Sequence, residues 1–191
     1  PTSAYFRDRA FVTAVICGAA TYMLMNFVMT AAPLAMIGCN HSIDDAAYGI
    51  QWHVIAMYAP SFFTGNLIVR HGAPKVVAGG LALTALSAVV ALLGLTVAHF
   101  YVALVLLGLG WNFGYIGASA MVADAARPEE RTRVQAVNDF CVFGVMAIGS
   151  FSSGQIVTTY GWDVVNWVVF PIVAVAALAL AMGSRRRAEA V

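Results

Sequence analysis

Two residue pairs in the first third of the chain have the type and spacing to hold a metal ion. One is Met25-Asn26-Phe27-Val28-Met29, a Met-x-x-x-Met; the other is His53-Val54-Ile55-Ala56-Met57, a His-x-x-x-Met. A spacing of i, i+4 puts both members of a pair on one helix face, one turn apart. Thioether sulfur is a soft donor that selects Cu(I), and imidazole suits copper as well. Methionine is also an ordinary packing residue, so Met25 and Met29 alone read more simply as core. A histidine inside an apolar segment is different, because it is costly in lipid and marks a functional site by default.

Two antiparallel helices must carry these pairs. If a short loop joins them, residues symmetric about residue 41 lie at equal depth, so Met25 is level with Met57 and Met29 with His53. At about 1.5 Å per residue, Met29 and His53 lie roughly 12 Å, and Met25 and Met57 roughly 18 Å, below the loop end. The second level is near the middle of a hydrocarbon core about 30 Å thick. Equal depth is necessary for a shared site but does not make one.

Composition supports a lipid solvent. Of 191 residues, 61% are hydrophobic and 10% charged, with a mean hydropathy of +0.83. Soluble domains are nearer a quarter charged. The net charge of +1 gives no basic field for nucleic acid. The first residue is Pro1, and the apolar stretch after Arg7 and Arg9 is too long for the core of a signal peptide. We therefore expect a piece of a longer chain without a secretory leader. The three cysteines, Cys17, Cys39 and Cys141, have the spacing of neither a disulfide framework nor a zinc site. No nucleophile elbow, phosphate loop or HExxH is present, so the chain does not read as an enzyme.

Charge-free windows place the spans. They run 10–43, 46–69, 76–123, 140–162 and 164–184. One crossing takes about 20 apolar residues, so the third window must hold two, with His99 and its neighbours as the turn. We expect helices at about 10–37, 45–69, 76–97, 100–122, 134–158 and 163–183. The expected fold class is an all-α membrane protein, a six-transmembrane-helix bundle over 10–183, with a linker end at 1–9 and a tail at 184–191. Every Lys and Arg lies in four places: Arg7/Arg9, Arg70/Lys75, Arg127/Arg131/Arg133 and Arg185/Arg186/Arg187. Six crossings put these four on one side, which the positive-inside rule makes cytoplasmic, with both chain ends. Trp162 and Trp167 read as interfacial anchors. Gly108, Gly110, Gly114 and Gly117, then Gly144, Gly149 and Gly154, permit close helix packing.

The turn Gly65-Asn66-Leu67-Ile68-Val69-Arg70-His71-Gly72-Ala73-Pro74-Lys75 resembles the Gly-x-Leu-x-Asp-Arg-x-Gly-Arg-Lys loop of the major facilitator superfamily. Gly65, Leu67, Arg70 and Gly72 match and Lys75 nearly so, one residue beyond its position; Val69 stands at the acidic position and Ala73 at the first basic one. Arg127-Pro128-Glu129-Glu130-Arg131-Thr132-Arg133 is similar to the loop before the fifth helix of a half. The resemblance implies the C-terminal half of a major facilitator fold, with a missing N-terminal six-helix half as partner and a central pathway whose substrate binds near the midplane.

The two metal motifs and their separation resemble the copper-importing branch of that superfamily, which takes up copper in bacteria for haem–copper oxidase assembly. That resemblance makes Met25, Met29, His53 and Met57 the metal ligands. It makes Cys17, Cys39 and His41 accessory candidates, the last two at the outer mouth. Copper, as Cu(I), is then the transported substrate rather than a resident cofactor, and the setting is the bacterial inner membrane with lipid as partner. Asp139, beside Asn138, could take a proton during coupling or pair with Arg131 and Arg133; the second reading is the simpler. Trp111 and Asn112 either line the pathway or pack helices. The alternatives are a facilitator for a small organic solute or drug, in which Met and aromatic residues form an apolar pocket, and a non-transporting sensor or assembly module.

Overall fold

The structure, a computed structural model, describes residues 2–189, with side chains for 5–183. Pro1, Ala190, Val191 and the side chains of Arg185, Arg186 and Arg187 in the expected tail lie outside the described residues. A short 3-10 helix, Thr2–Arg7, precedes α1 (Arg9–Gly38), α2 (Ile43–Tyr58), α3 (Ser61–His71), α4 (Ala73–Leu93) and α5 (Val97–Ala125). A second 3-10 turn, Pro128–Glu130, then leads to α6 (Arg131–Tyr160) and α7 (Trp162–Glu189). Among the described residues, α1, α4, α5, α6 and α7 are each long and apolar enough to cross a membrane.

The single helix expected over 45–69 is instead two helices, α2 and α3. Pro60 separates them because it has no N–H to give the carbonyl one turn back. The direction of the chain persists, since Ala59 (φ −57°, ψ −39°) and Pro60 (φ −66°, ψ −17°) both keep right-handed helical dihedrals. The pair is thus one rod kinked at Pro60. Other boundaries also shift. The turn expected at His99 falls at Gly94–Thr96, and His99 lies in the first turn of α5, with its Nδ1 2.7 Å from Thr96 Oγ1. The last helix runs past the expected end at 183 to Glu189.

Helix ends follow ordinary capping chemistry. Asp8 accepts from Ala10 N at 2.8 Å to start α1. Ser42 and Asp45 form a reciprocal capping box at the start of α2. The hydrogen bonds from Ser42 hold the Asp45 carboxyl below its ordinary range. Tyr5 donates to Glu130, tying the N-terminal segment to the turn before α6 and raising the phenol above its usual pKa.

The rods alternate in direction, and contacts group their ends. Thr13 at the start of α1 approaches Gly183 of α7. At the opposite end His41 meets the Leu95 carbonyl at 2.6 Å, and Phe100 packs on Trp162. All described Lys and Arg lie at the first end. The helices form two layers: α2/α3, α5, α1 and α6 make the front, and α4 and α7 back it, α4 on α5 and α7 on α1. Small residues set the closest approaches. A Cβ on Gly80 of α4 would sit 2.3 Å from Gly114 N and 2.7 Å from Gly110 O of α5; on Gly108 it would sit 2.6 Å from His53 O. Gly144 and Gly154 have nothing within 4 Å of such a Cβ, so they make no comparable approach. Ser153 Oγ donates to Phe27 O at 2.5 Å and fastens α6 to α1.

Candidate functional site

Successive helical residues turn by about 100°, which sorts the faces of α5. Gly110, Gly114 and Gly117 approach α4, Gly114 and Ala118 approach α1, and Leu104 and Gly108 approach α2. Trp111 and Tyr115 fall between the α1 and α2 directions and fill the front groove between those helices. Their rings stack at 5.4 Å and 19°. Tyr22 of α1 stands nearly perpendicular to three rings: Trp111 at 5.6 Å, Tyr115 at 4.9 Å and Phe143 of α6 at 5.3 Å. Tyr58, the last residue of α2, meets Trp111 at 5.8 Å. Tyr58 is 58% exposed and Phe143 43% exposed, so the cluster is open at its flanks. Edge-to-face and offset-stacked pairs are the favoured aromatic geometries, and here they pre-arrange a π surface drawn from α1, α2, α5 and α6. Trp111 Nε1–H is buried without a partner, a free donor in this cluster. Asn26, one turn along α1 from Tyr22, is half-buried.

Below Tyr58 lies a polar network in which Asn112 and Thr64 are buried and Ser61 is exposed. Asn112 Nδ2 donates to Met57 O at 2.6 Å and to Ser61 Oγ at 2.8 Å. Thr64 Oγ1 is 2.5 Å from Asn112 Oδ1 and 2.8 Å from Pro60 O. A proline kink in a membrane helix is tolerated when neighbouring side chains satisfy the freed backbone groups, and Asn112 does this for α2/α3. The helix-packing reading of Asn112 is the one the hydrogen bonds favour. Trp111, its neighbour, is in the ring cluster.

The expected metal ligands are divided. Met25 and Met57 are buried in one hydrophobic cluster with Leu107 and Trp111, and Met29 packs at its edge. His53 is fully buried against α5, with Nδ1 2.8 Å from Leu104 O. A carbonyl can only accept, so Nδ1 carries the proton and the neutral ring keeps its lone pair on Nε2. That nitrogen has no partner. His53 therefore serves first as a peg between α2 and α5. Cys17 lies off the Met25 face: its thiol donates to the Ala176 carbonyl of α7 at 3.6 Å. Eight residues before Met25, it is about 80° off that face. Cys39 is half-buried beside Val157 and Trp162, and His41 is engaged with Leu95 O and the Phe100 ring. Among the described residues, no group of three or more His, Cys, Asp or Glu could hold a metal ion.

Two further expectations are corrected. Asp139 accepts from Gln135 Nε2 at 3.0 Å and Asn138 Nδ2 at 3.1 Å, partners on its own helix, and not from Arg131 or Arg133. Those arginines sit at the exposed start of α6, two turns away. Trp162 is buried against Phe100 instead of lying free at an interface; Trp167 is exposed. The aromatic cluster itself escaped sequence reading. Tyr22, Tyr58, Trp111, Tyr115 and Phe143 share no short motif. The available signal was the i, i+4 pair Trp111/Tyr115 on a glycine-rich helix.

A family model described as Major Facilitator Superfamily matches residues 14–190. The chain is 55% identical over 174 residues to the riboflavin transporter RfnT of Brucella anthropi, covering 91% of this chain and 44% of that protein. It is 31% identical over 146 residues to the uncharacterized MFS-type transporter YddS of Bacillus subtilis, covering 75% of this chain and 34% of that protein. It is 33% identical over 139 residues to YdeG of the same organism, an uncharacterized MFS-type transporter, covering 72% of this chain and 32% of that protein. The chain thus spans less than half the length of the curated relatives it matches. None of them is named for copper, so the copper-importing branch finds no support here. Residues 14–190 and the 55% identity together mean that this chain belongs to the Major Facilitator Superfamily of membrane transporters.

Proposed function

We propose that this chain is the C-terminal half of a transporter for a planar, ring-bearing organic solute of the riboflavin class. The observation that carries the reading is the ring cluster of Tyr22, Tyr58, Trp111, Tyr115 and Phe143, with Trp111 buried at its centre and Tyr58 and Phe143 exposed at its flanks. Riboflavin has a flat tricyclic ring and a polyol tail. A stacked Trp–Tyr pair with flanking edges suits such a ring, and Trp111 Nε1–H with the Asn26 amide suits its polar atoms. The relative named for riboflavin, at 55% identity, supports the same choice. An N-terminal half of six helices closes the other wall of the pathway. The kinked α2/α3 rod supplies the sixth crossing of this half, and the Lys/Arg end faces the cytoplasm of a bacterial inner membrane. Asp139, inside the span of α6 and within electrostatic reach of Tyr115, is the carboxylate we assign to coupling.

Uptake of labelled riboflavin by cells carrying the full-length transporter tests this. Saturable uptake, competed by unlabelled riboflavin and lowered in Trp111→Ala, is the expected result. No riboflavin transport in either direction by a correctly inserted protein overturns it. The metal reading retains one observation, the unpaired Nε2 of His53 near buried Met57. Copper uptake by cells no higher with the full-length protein than without it disposes of that reading.

A further inference from the structure

Two clefts flank α7 at the end of the bundle where the Lys and Arg gather. The first, about 580 Å³, lies between α4 and α7 on the back layer. His71 and Lys75 stand at its mouth, and Ala78, Leu81, Val173 and Ala177 line the trench below. The second, about 490 Å³, lies between α1 and α7, with Arg7 and Arg9 at the mouth and Val12 and Met182 below. Both fall in the size range of small-ligand sites, about 300–1,000 Å³. Among the described residues, no carboxylate lines either cleft. Among the described residues, Lys75, Arg7 and Arg9 form no ion pair. His71 Nδ1 reaches only the Leu67 carbonyl of its own helix, at 3.3 Å.

We propose that the α4/α7 cleft binds an anionic phospholipid, its phosphate at Lys75 and His71 and an acyl chain in the trench, and that the α1/α7 cleft repeats the arrangement with Arg7 and Arg9. The occupant follows from three facts. The trench is apolar over its length, so it takes hydrocarbon. Its mouth is cationic and unpaired, so it takes an anion. Both features sit at one end of membrane-length helices, the level where a phospholipid carries its phosphate. Basic pockets between membrane helices hold anionic head groups for the same reason. The proposal is independent of which solute is transported.

Native mass spectrometry of the detergent-purified full-length transporter tests it, with phosphatidylglycerol and phosphatidylcholine offered at equal concentration. Phosphatidylglycerol should be retained over phosphatidylcholine by about fivefold or more, the effect of one cation near a surface. Lys75→Gln should lower that preference by about fivefold at the α4/α7 cleft while the Arg7/Arg9 cleft keeps its own, and Lys75→Arg should keep it at both. Ala78→Phe leaves every charge in place and fills the trench; it should lower retention of both lipids from that cleft. Equal retention of the two lipids by the parent protein overturns the proposal. So does unchanged phosphatidylglycerol retention in both Lys75→Gln and Ala78→Phe.

Discussion

The side-chain amide of Asn112 donates to the backbone carbonyl of Met57 at 2.6 Å, across the gap between α5 and the kink at Pro60. The same side chain holds Ser61 and Thr64 on the far side of that kink. One residue on α5 therefore fixes the angle between the arm carrying His53 and Tyr58 and the arm leading to the Arg70–Lys75 turn.

Asn112→Ala should destabilise the full-length transporter by about 1–3 kcal/mol, the cost of leaving buried polar groups unpaired. Pro60→Ala restores a backbone donor, so the double variant should lose less than the two single losses added. Thermal melting followed by size-exclusion fluorescence measures the three. Strict additivity would mean that Asn112 and the kink are unconnected.

On the proposed riboflavin reading, removing the stacking partner should weaken the site. Loss of one aromatic stacking contact to a planar ring costs about 1–3 kcal/mol. Trp111→Ala should then raise the KM for riboflavin transport by roughly tenfold, and Trp111→Phe should keep most of the affinity. Initial-rate uptake across a range of riboflavin concentrations separates KM from the maximal rate.

The α4–α5 contact leaves no room for a side chain at Gly80, where a Cβ would lie 2.3 Å from Gly114 N. Gly80→Val should cost at least the about 1–3 kcal/mol typical of overpacking, because backbone atoms cannot step aside. The yield of monodisperse protein is the readout. Gly144→Val, with no neighbour within 4 Å, is the control and should be tolerated.

Hydrogen bonds from Ser42 hold the Asp45 carboxyl below its ordinary range. A depressed folded value means the carboxylate contributes stability above the unfolded pKa and loses it as pH falls through the folded one. Asp45→Asn should therefore melt lower than the parent at neutral pH. The difference should shrink once the pH drops below the ordinary carboxylate range. Melting curves over that range, at constant salt, check the sign.

If Asp139 carries the coupling proton, Asp139→Asn should abolish accumulation driven by a proton gradient while leaving exchange of riboflavin across proteoliposomes. Uphill accumulation that survives the substitution would place coupling elsewhere.

Much of the architecture was legible in residue order. The spans, their alternation and the one-sided Lys/Arg pattern follow from hydropathy and charge, which act on a segment through its solvent whatever its neighbours are. The loop Gly65–Lys75 likewise pointed to the family that the comparisons bear out. The site was not legible in the same way. The i, i+4 spacing of Met25/Met29 and His53/Met57 put each pair on one helix face, but spacing along a helix does not say which neighbour that face meets. Tertiary packing turned His53 and Met57 toward Gly108 and Leu104 on α5, and turned Cys17 toward α7. It brought Tyr22, Tyr58, Trp111, Tyr115 and Phe143 together from four helices, a set spread over more than a hundred residues of sequence. The sequence by itself determined which segments are apolar enough to cross a membrane, because that depends on local transfer energies; among the described residues five of them are helices of membrane-spanning length, and the expected helix over 45–69 is split at Pro60. Only the tertiary structure decided which side chains share a surface, because that depends on the rotation and close approach that glycines such as Gly80, Gly108 and Gly114 allow.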